Sequence, residues 1–302
     1  MSEIDLNALQ QCREERLASR RSALIMGGAA LAGLALGSRA AAQTTVTDTD
    51  ILNFALNLEF LEAQFYTLAT TGMTLSQAGL SIDSGSGSAG GSVTVKSSPM
   101  VPFLSGDSLQ SFAMEVAEDE QNHVKFLQSA LGSSAVAMPN IDLLNSFNAL
   151  AQAAGLGSSF DPFASETNFL IGAFIFEDVG VTAYQGAAGL ISSKTYLDKA
   201  VGIHGVEAYH AAGIRTRIFQ AGTAAQQISQ AVAATRAKLD GTGNDDIGVS
   251  INSSGAATIV DNDSNGMTYA RTTTQVLSIV YGGGAAGTGG AFYPDAMNGT
   301  IK

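Results

Sequence analysis

The chain has 302 residues, with 15 Lys and Arg against 27 Asp and Glu, one Cys, no Trp and 34 Gly. A formal charge of -12 and a pI near 4.5 repel phosphate backbones, and no Lys/Arg cluster occupies a helical face, so the composition argues against a nucleic-acid partner. Hydrophobic residues make up 45% of the chain, enough for a sizeable core in one or two domains, while charged residues are only 14%, which leaves small and uncharged polar groups to cover much of the surface.

Residues 1–21 are mixed in charge and end in Ser19-Arg20-Arg21; an uncharged Gly/Ala/Leu-rich stretch of 17 residues follows from Ser22 to Ser38, then Arg39-Ala40-Ala41-Ala42-Gln43. This is the three-part build of an export signal, with Ala40 and Ala42 fitting a cleavage site before Gln43. The paired arginines and weakly apolar core resemble a twin-arginine signal, with Ala23 where that motif usually has Phe. A periplasmic or secreted location and contact with the twin-arginine machinery are therefore expected, and the apolar stretch is short of the ~20 residues of a membrane span. Cleavage removes Cys12, so the mature chain has no thiol for a disulfide or a metal, and its 23 acidic against 10 basic residues keep it acidic.

The sequence divides into a signal at 1–42, a helical bundle at 43–240 and a C-terminal extension at 241–302 expected to pack on the bundle. Apolar residues Leu52, Ala55, Leu56, Ala63 and Tyr66 predict a helix from Asp48 to Ala69, capped by Asp48 or Thr49. Residues 72–106, with glycines among serines and Ser92-Val93-Thr94-Val95-Lys96, read as an insertion carrying a short strand or hairpin. Asp107 caps a second helix that runs to Leu131 before Gly132. A shorter helix at 141–154 opens after Pro139-Asn140. Long helices follow at 165–191 and 196–220, then an Ala-rich one at 223–239. Past Asp240 the Gly/Asn/Asp/Ser/Thr texture suggests decoration rather than core, with one last short helix at 272–281. The fold expected is mainly α, an antiparallel four-helix bundle whose crossover is the long link between its second and third helices.

Chemistry lies in what interrupts the apolar stripes. Glu59 lies on the inward face of the first helix, three after Leu56. Phe112, Val116, Glu120, His123 and Leu127 share one stripe of the second, with Glu120 and His123 neighbours at i,i+3. Leu170, Ala173, Glu177, Val181 and Tyr184 do the same on the third; Ile203, Glu207, His210, Ile214 and Ile218 repeat the Glu-x-x-His arrangement on the fourth. Buried carboxylates must be paired or hold a metal. Two Glu-x-x-His pairs and two single Glu residues supply the six ligands of a carboxylate-bridged dinuclear site, and the handing of one such donor set per helix is the known pattern of ferritin-like bundles. This donor chemistry suits two Fe or two Mn ions better than calcium. Tyr66 and Tyr184 each follow their helix's glutamate by seven residues, about two turns, so the two halves of the bundle repeat one order.

On these residues the sequence resembles the ferritin-like superfamily, more closely the ferritin-like domain proteins that include the plant desiccation-related proteins. The ligand pattern covers residues 48–221, and Arg271-Thr272, Gln275-Val276-Leu277, Ala291-Phe292-Tyr293-Pro294 and Met297-Asn298-Gly299 look like that family's C-terminal segment. The resemblance implies terminal ligation by Glu59 and Glu177, bridging by Glu120 and Glu207, and one metal for each of His123 and His210. The 72–106 insertion departs from the compact hairpin of ferritins and speaks against a storage cage.

Other acids beside these positions, Glu62, Glu115, Glu118 and Asp119, read as solvated helix charge. His204, three before Glu207, reads as a group behind the ligands or a packed imidazole, and Tyr66 and Tyr184 as either hydrogen-bonding or redox partners of the site or ordinary aromatic core. No Gly-x-Gly-x-x-Gly follows a strand, no phosphate-binding loop is present, and no nucleophilic Ser has a spare His. Two functions stay open: an exported dinuclear oxidoreductase acting on dioxygen or a peroxide, dependent on an external electron donor because no Cys-x-x-Cys inlet exists; or a non-enzymatic stress or desiccation protectant with a structural or vestigial metal site. A homo-oligomer is left open.

Overall fold

Helix α1, Asp48–Thr71, starts at Thr47 rather than at Asp48 or Thr49. Thr47 has the acid that a reciprocal cap needs three residues on: its hydroxyl accepts from the Asp50 amide at 3.2 Å, and the Asp50 carboxylate accepts from the Thr47 amide at 2.8 Å. Asp48 instead accepts from the Ser192 and Ser193 amides, both at 2.8 Å, and ties this end of α1 to a later turn. The computed structural model describes residues 46–243 and 246–302, which form one compact unit. The export signal expected at 1–42, with Cys12 and the cleavage site before Gln43, lies outside the described residues.

The remaining helices are α2 (Ser108–Leu131), α3 (Asn145–Ala153), α4 (Glu166–Ala188), α5 (Lys194–Gln220), α6 (Thr223–Asp240) and α7 (Thr273–Val280). Asp107, Ser165, Ser193 and Thr272 each accept a first-turn amide on their side chain, which fixes where α2, α4, α5 and α7 begin. Two helix pairs, α1 with α2 and α4 with α5, make the bundle. Asn53 reaches the Ser134 carbonyl at 3.0 Å while Gln121 reaches the Thr67 hydroxyl at 3.0 Å, so α1 and α2 run antiparallel. The fold is thus the ferritin-like helical bundle, and among the described residues no helix is long and apolar enough to cross a membrane.

The insertion is not a hairpin. Its strand β1 (Val93–Thr94) pairs in parallel with β2 (Ile141–Asp142) of the α2–α4 link, Val93 opposite Ile141. Residues 141–142, expected to open a helix, are therefore extended, and Asp142 accepts from the Leu144 and Asn145 amides at 2.8 and 2.7 Å where α3 begins.

The C-terminal segment is core, not decoration, and this overturns the reading of its polar texture. Phe292 is fully buried, with its ring 5.2 Å from that of Phe147 and 4.9 Å from that of Phe176. Tyr293 donates to the Asn57 carbonyl at 2.8 Å, and the Asn298 amide donates to the Asn57 side chain at 3.0 Å. Arg215, Arg236 and Arg271 are each at most 2% exposed and bind Asp178, Asp240 and Asp246 at 2.7–2.9 Å, joining α4, α5, α6 and the segment after it. Covered on this side as well as by the bundle, α1 and α4 are buried around nearly their whole circumference, from Ile51 to Ala69 and from Phe169 to Tyr184. They are not amphipathic. Between 246 and 270 the expected irregular texture persists, with one antiparallel bridge, Ile251 to Ala257.

Truncating Phe292 removes ring contacts from the junction of α3, α4 and the C-terminal segment. Phe292→Ala is expected to lower unfolding stability by about 3–5 kcal/mol, measured by urea denaturation beside the parent chain.

Candidate metal centre

Glu59 on α1, Glu120 and His123 on α2, Glu177 on α4, and Glu207 and His210 on α5 converge in the middle of the bundle, and all six are buried. The i,i+3 spacing of Glu120 and His123, and of Glu207 and His210, brings each pair onto one inward face. His123 Nδ1 lies 3.1 Å from Glu59 Oε2, 3.4 Å from Glu120 Oε2 and 3.6 Å from Glu207 Oε1. His210 Nδ1 lies 3.0 Å from Glu120 Oε1 and 3.6 Å from Glu177 Oε2. The two oxygens of Glu120 therefore face different imidazoles. The donor atoms fall into two groups, Glu59/Glu120/His123/Glu207 and Glu120/Glu177/His210, each with its atoms within 4.8 Å of one another and with Glu120 common to both. Glu207 joins only the first.

These donors crowd one shared space. Both oxygens of Glu120, both of Glu207, Glu177 Oε2 and His210 Nδ1 are buried without a well-directed hydrogen bond, although His210 Nδ1 and Glu120 Oε1 stand in ion-pair contact at 3.0 Å. Both oxygens of Glu207 and Glu177 Oε2 have no such close partner, which departs from the rule that buried polar groups are satisfied. Carboxylate and imidazole donors so gathered fit divalent or trivalent first-row metals.

The tyrosines cross between the halves of the bundle. Tyr66, on the helix of Glu59, donates to Glu177 Oε1; Tyr184, on the helix of Glu177, donates to Glu59 Oε1. Each phenol holds one oxygen of the opposite glutamate and leaves the other free to face the centre. Burial, then the adjacent glutamate, pushes both phenols well above their ordinary pKa, so they stay protonated donors. The sequence placed each tyrosine with its own helix's glutamate; the partnership is with the other.

Electrostatics mark the strain of gathering these charges. Burial opposes a charged His123, but the surrounding carboxylates, Glu59 foremost, push it up to about 12; His210, facing Glu177 and Glu120, is likewise pushed up to about 12. Burial and the charge of Glu59 raise Glu120 to about 7, and burial with Glu62 and Glu120 raises Glu207 well above the carboxylate range. Burial also presses on Glu59, yet His123 beside it leaves this carboxyl below its ordinary value.

Two neighbours depart from the expected solvated charge. Glu62 is only 5% exposed, because the C-terminal segment covers the far side of α1, and burial followed by Glu120, Glu177 and Glu59 pushes its carboxyl well above the usual range. Asp119 Oδ2 lies 3.2 Å from His210 Nε2 and orients that imidazole from outside, although its own side chain is 41% exposed. Adjacency to a Glu-x-x-His pair was the available signal for Asp119; nothing in α1 alone signals the burial of Glu62. Glu115 and Glu118 are exposed, as expected. His204 is half-buried, bonds the Val181 backbone and stands outside both donor groups. In a third acidic trio, Asp178 and Asp246 pair with Arg215 and Arg236, while Asp261 beside them makes no ion pair among the described residues and both its carboxylate oxygens are buried without a hydrogen bond.

Comparisons with known proteins accord with this geometry. A family model described as a ferritin-like domain matches residues 47–220. The chain belongs to the ferritin-like domain family. It is 26% identical over 271 residues to the desiccation-related protein PCC13-62 of Craterostigma plantagineum, covering 84% of this chain and 83% of that protein. It is 23% identical over 270 residues to the ferritin-like catalase Nec2 of Nesocodon mauritianus, covering 84% of each. No solved structure matches.

Removing either phenol hydroxyl leaves a further carboxylate oxygen without a partner. Tyr66→Phe and Tyr184→Phe are each expected to destabilise the metal-free protein by about 1–3 kcal/mol. Because Glu120 links the two sides, the double variant should depart from the sum by about 0.5 kcal/mol or more in a denaturant double-mutant cycle.

Proposed function

We propose that this chain binds a carboxylate-bridged pair of Fe or Mn ions through Glu59, Glu120, His123, Glu177, Glu207 and His210, and uses it for redox chemistry on dioxygen or a peroxide. The carrying observation is the convergence of four buried glutamates and two imidazoles into two donor groups that share Glu120, with most of their inner oxygens lacking a well-directed hydrogen bond. Two divalent cations offset the charge of four glutamates, which removes the cost of burying them together. A redox-active metal pair supplies two-electron exchange with an oxygen substrate.

The chain's own residues do the rest. Tyr66 and Tyr184 orient Glu177 and Glu59, Asp119 orients His210, and the apolar stripes of α1 and α4 keep bulk water out. Burial and the neighbouring carboxylates raise the Glu62 carboxyl well above its ordinary range beside the centre. The name of the Nesocodon relative, a ferritin-like catalase, supports peroxide as the substrate. The name of the Craterostigma relative supports the second reading, a desiccation protectant in which the metal is structural. Turnover separates the two. The N-terminal sequence supports export by the twin-arginine route to the periplasm or beyond.

Elemental analysis of mature protein purified without added metal should find close to two Fe or Mn ions per chain, about the stoichiometry of such bundle sites, and none in a Glu120→Ala/His210→Ala variant. Metal-loaded protein that neither decomposes peroxide nor oxidises substrate with dioxygen returns the protectant reading; no transition metal in the parent removes both the centre and the enzyme.

Proton linkage gives an independent check. His123 and His210 carry protons across the neutral range when metal-free, with pKa values pushed up to about 12, and must lose them to bind metal. Uptake at pH 7 is therefore expected to release protons, and affinity to fall as the pH falls. Calorimetry in buffers of different ionisation enthalpy reads the number released; no release would show that the imidazoles stay protonated and do not ligate.

A further inference from the structure

Two cavities that share lining residues lie between the surface and Glu62, beside the four-glutamate centre, and no role described so far uses them. The outer one, small and partly open to solvent, is lined by Leu150, Ala154, Leu156, Phe160 and Val232, with Thr235 and Arg236 as its polar members. Leu156 is 37% exposed. The inner one, smaller still, is walled by Leu58, Leu61, Val179, Val280 and Phe292, and Glu62 is its single ionisable lining residue. Ile175 and Ile279 line both, so the two chambers share a wall made of two aliphatic side chains.

At the inner end stands Gly180. A Cβ there would lie 2.3 Å from Glu207 Oε2 and 3.3 Å from Glu62 Oε1, so α4 has room for both carboxylates only because this position has no side chain. The inner chamber thus ends against Glu62 and the backbone of Gly180, directly behind Glu207.

The lining decides what can pass. A metal ion entering these walls loses its hydration with only the Thr235 hydroxyl and, at the inner end, Glu62 to replace it, and it passes the cationic Arg236 on the way. A peroxide meets one side-chain hydroxyl, that of Thr235, before Glu62 and otherwise finds apolar walls. An apolar gas loses nothing, and dry cavities lined by Leu, Ile and Phe bind such atoms. We propose that these paired cavities are the route by which molecular dioxygen moves between solvent and the centre, ending at Glu62 and Gly180. The inference rests on the dinuclear reading above, and holds whether dioxygen is consumed as oxidant or released from peroxide, in which case two peroxide molecules yield two waters and the dioxygen that must leave. Metal ions and charged donors then use some other face.

Crystals of the metal-loaded protein pressurised with xenon, an apolar stand-in for dioxygen, test the route without turnover. Xenon is expected in both cavities. Ile279→Phe fills the shared wall; Ala154→Phe, at a half-buried position lining the outer cavity, is the second variant should the first fail to fold. Each is expected to lose xenon beyond the blocked point, keep the parent's metal content, and slow dioxygen uptake or release several-fold. Metal-loaded crystals with no xenon in either chamber overturn the route, as does an unchanged dioxygen rate in a variant whose xenon is lost. A parent without metal removes the centre and the route together, and elemental analysis reads that outcome separately from a failure of the route alone.

Discussion

Four glutamates buried within a few ångströms of one another repel strongly in a low-dielectric interior, and the rest of the structure is arranged around that repulsion. Their complete burial removes bulk solvent as a screen, so the charge must be offset by protons or by cations. In the metal-free chain the protons collect on His123 and His210 and on the raised carboxyls of Glu62, Glu120 and Glu207. On the proposed reading, two divalent cations would balance the same four carboxylates and take the imidazoles as ligands. Proton binding and metal binding would then compete for one site.

Holding that arrangement open requires rigidity from outside. Tyr66 and Tyr184 cross between the halves of the bundle, so each half positions a glutamate of the other. The phenols serve as donors only because burial and the facing carboxylates keep them protonated. Aromatic packing around Phe65, which touches Phe147, Phe163, Phe169 and Phe176, steadies α1 and α4 behind the tyrosines. A loosely packed bundle would let the glutamates turn toward solvent or toward one another.

The C-terminal segment completes the enclosure. By covering the far side of α1 and α4 it turns two surface helices into central ones, and the guanidinium groups of Arg215, Arg236 and Arg271 satisfy carboxylates that this burial would otherwise strand. The arginines also spread over apolar surface: that of Arg236 lies 4.4 Å from the centre of the Phe174 ring. Enclosure by this segment, with Ile279, Val280 and Phe292, is also what shapes the inner cavity behind Glu207.

The sequence by itself determined the helices of the bundle to within a few residues, and it picked out the six acids and imidazoles that the fold buries together, because polar residues inside a 3.6-residue apolar period are visible without coordinates. It also determined which residues share a face within one helix. Tertiary structure decided everything that depends on a second chain segment at long range. The crossed pairing of Tyr66 with Glu177 and of Tyr184 with Glu59 joins residues 111 and 125 positions apart. The parallel pairing of Val93 with Ile141 and the burial of Glu62 under residues near 280 and 292 arise in the same way. Periodicity reports how one helix divides its own faces and is silent on how many of those faces a neighbour covers. For that reason Glu62 reads as surface charge in the sequence and stands in the fold as a buried acid beside the centre.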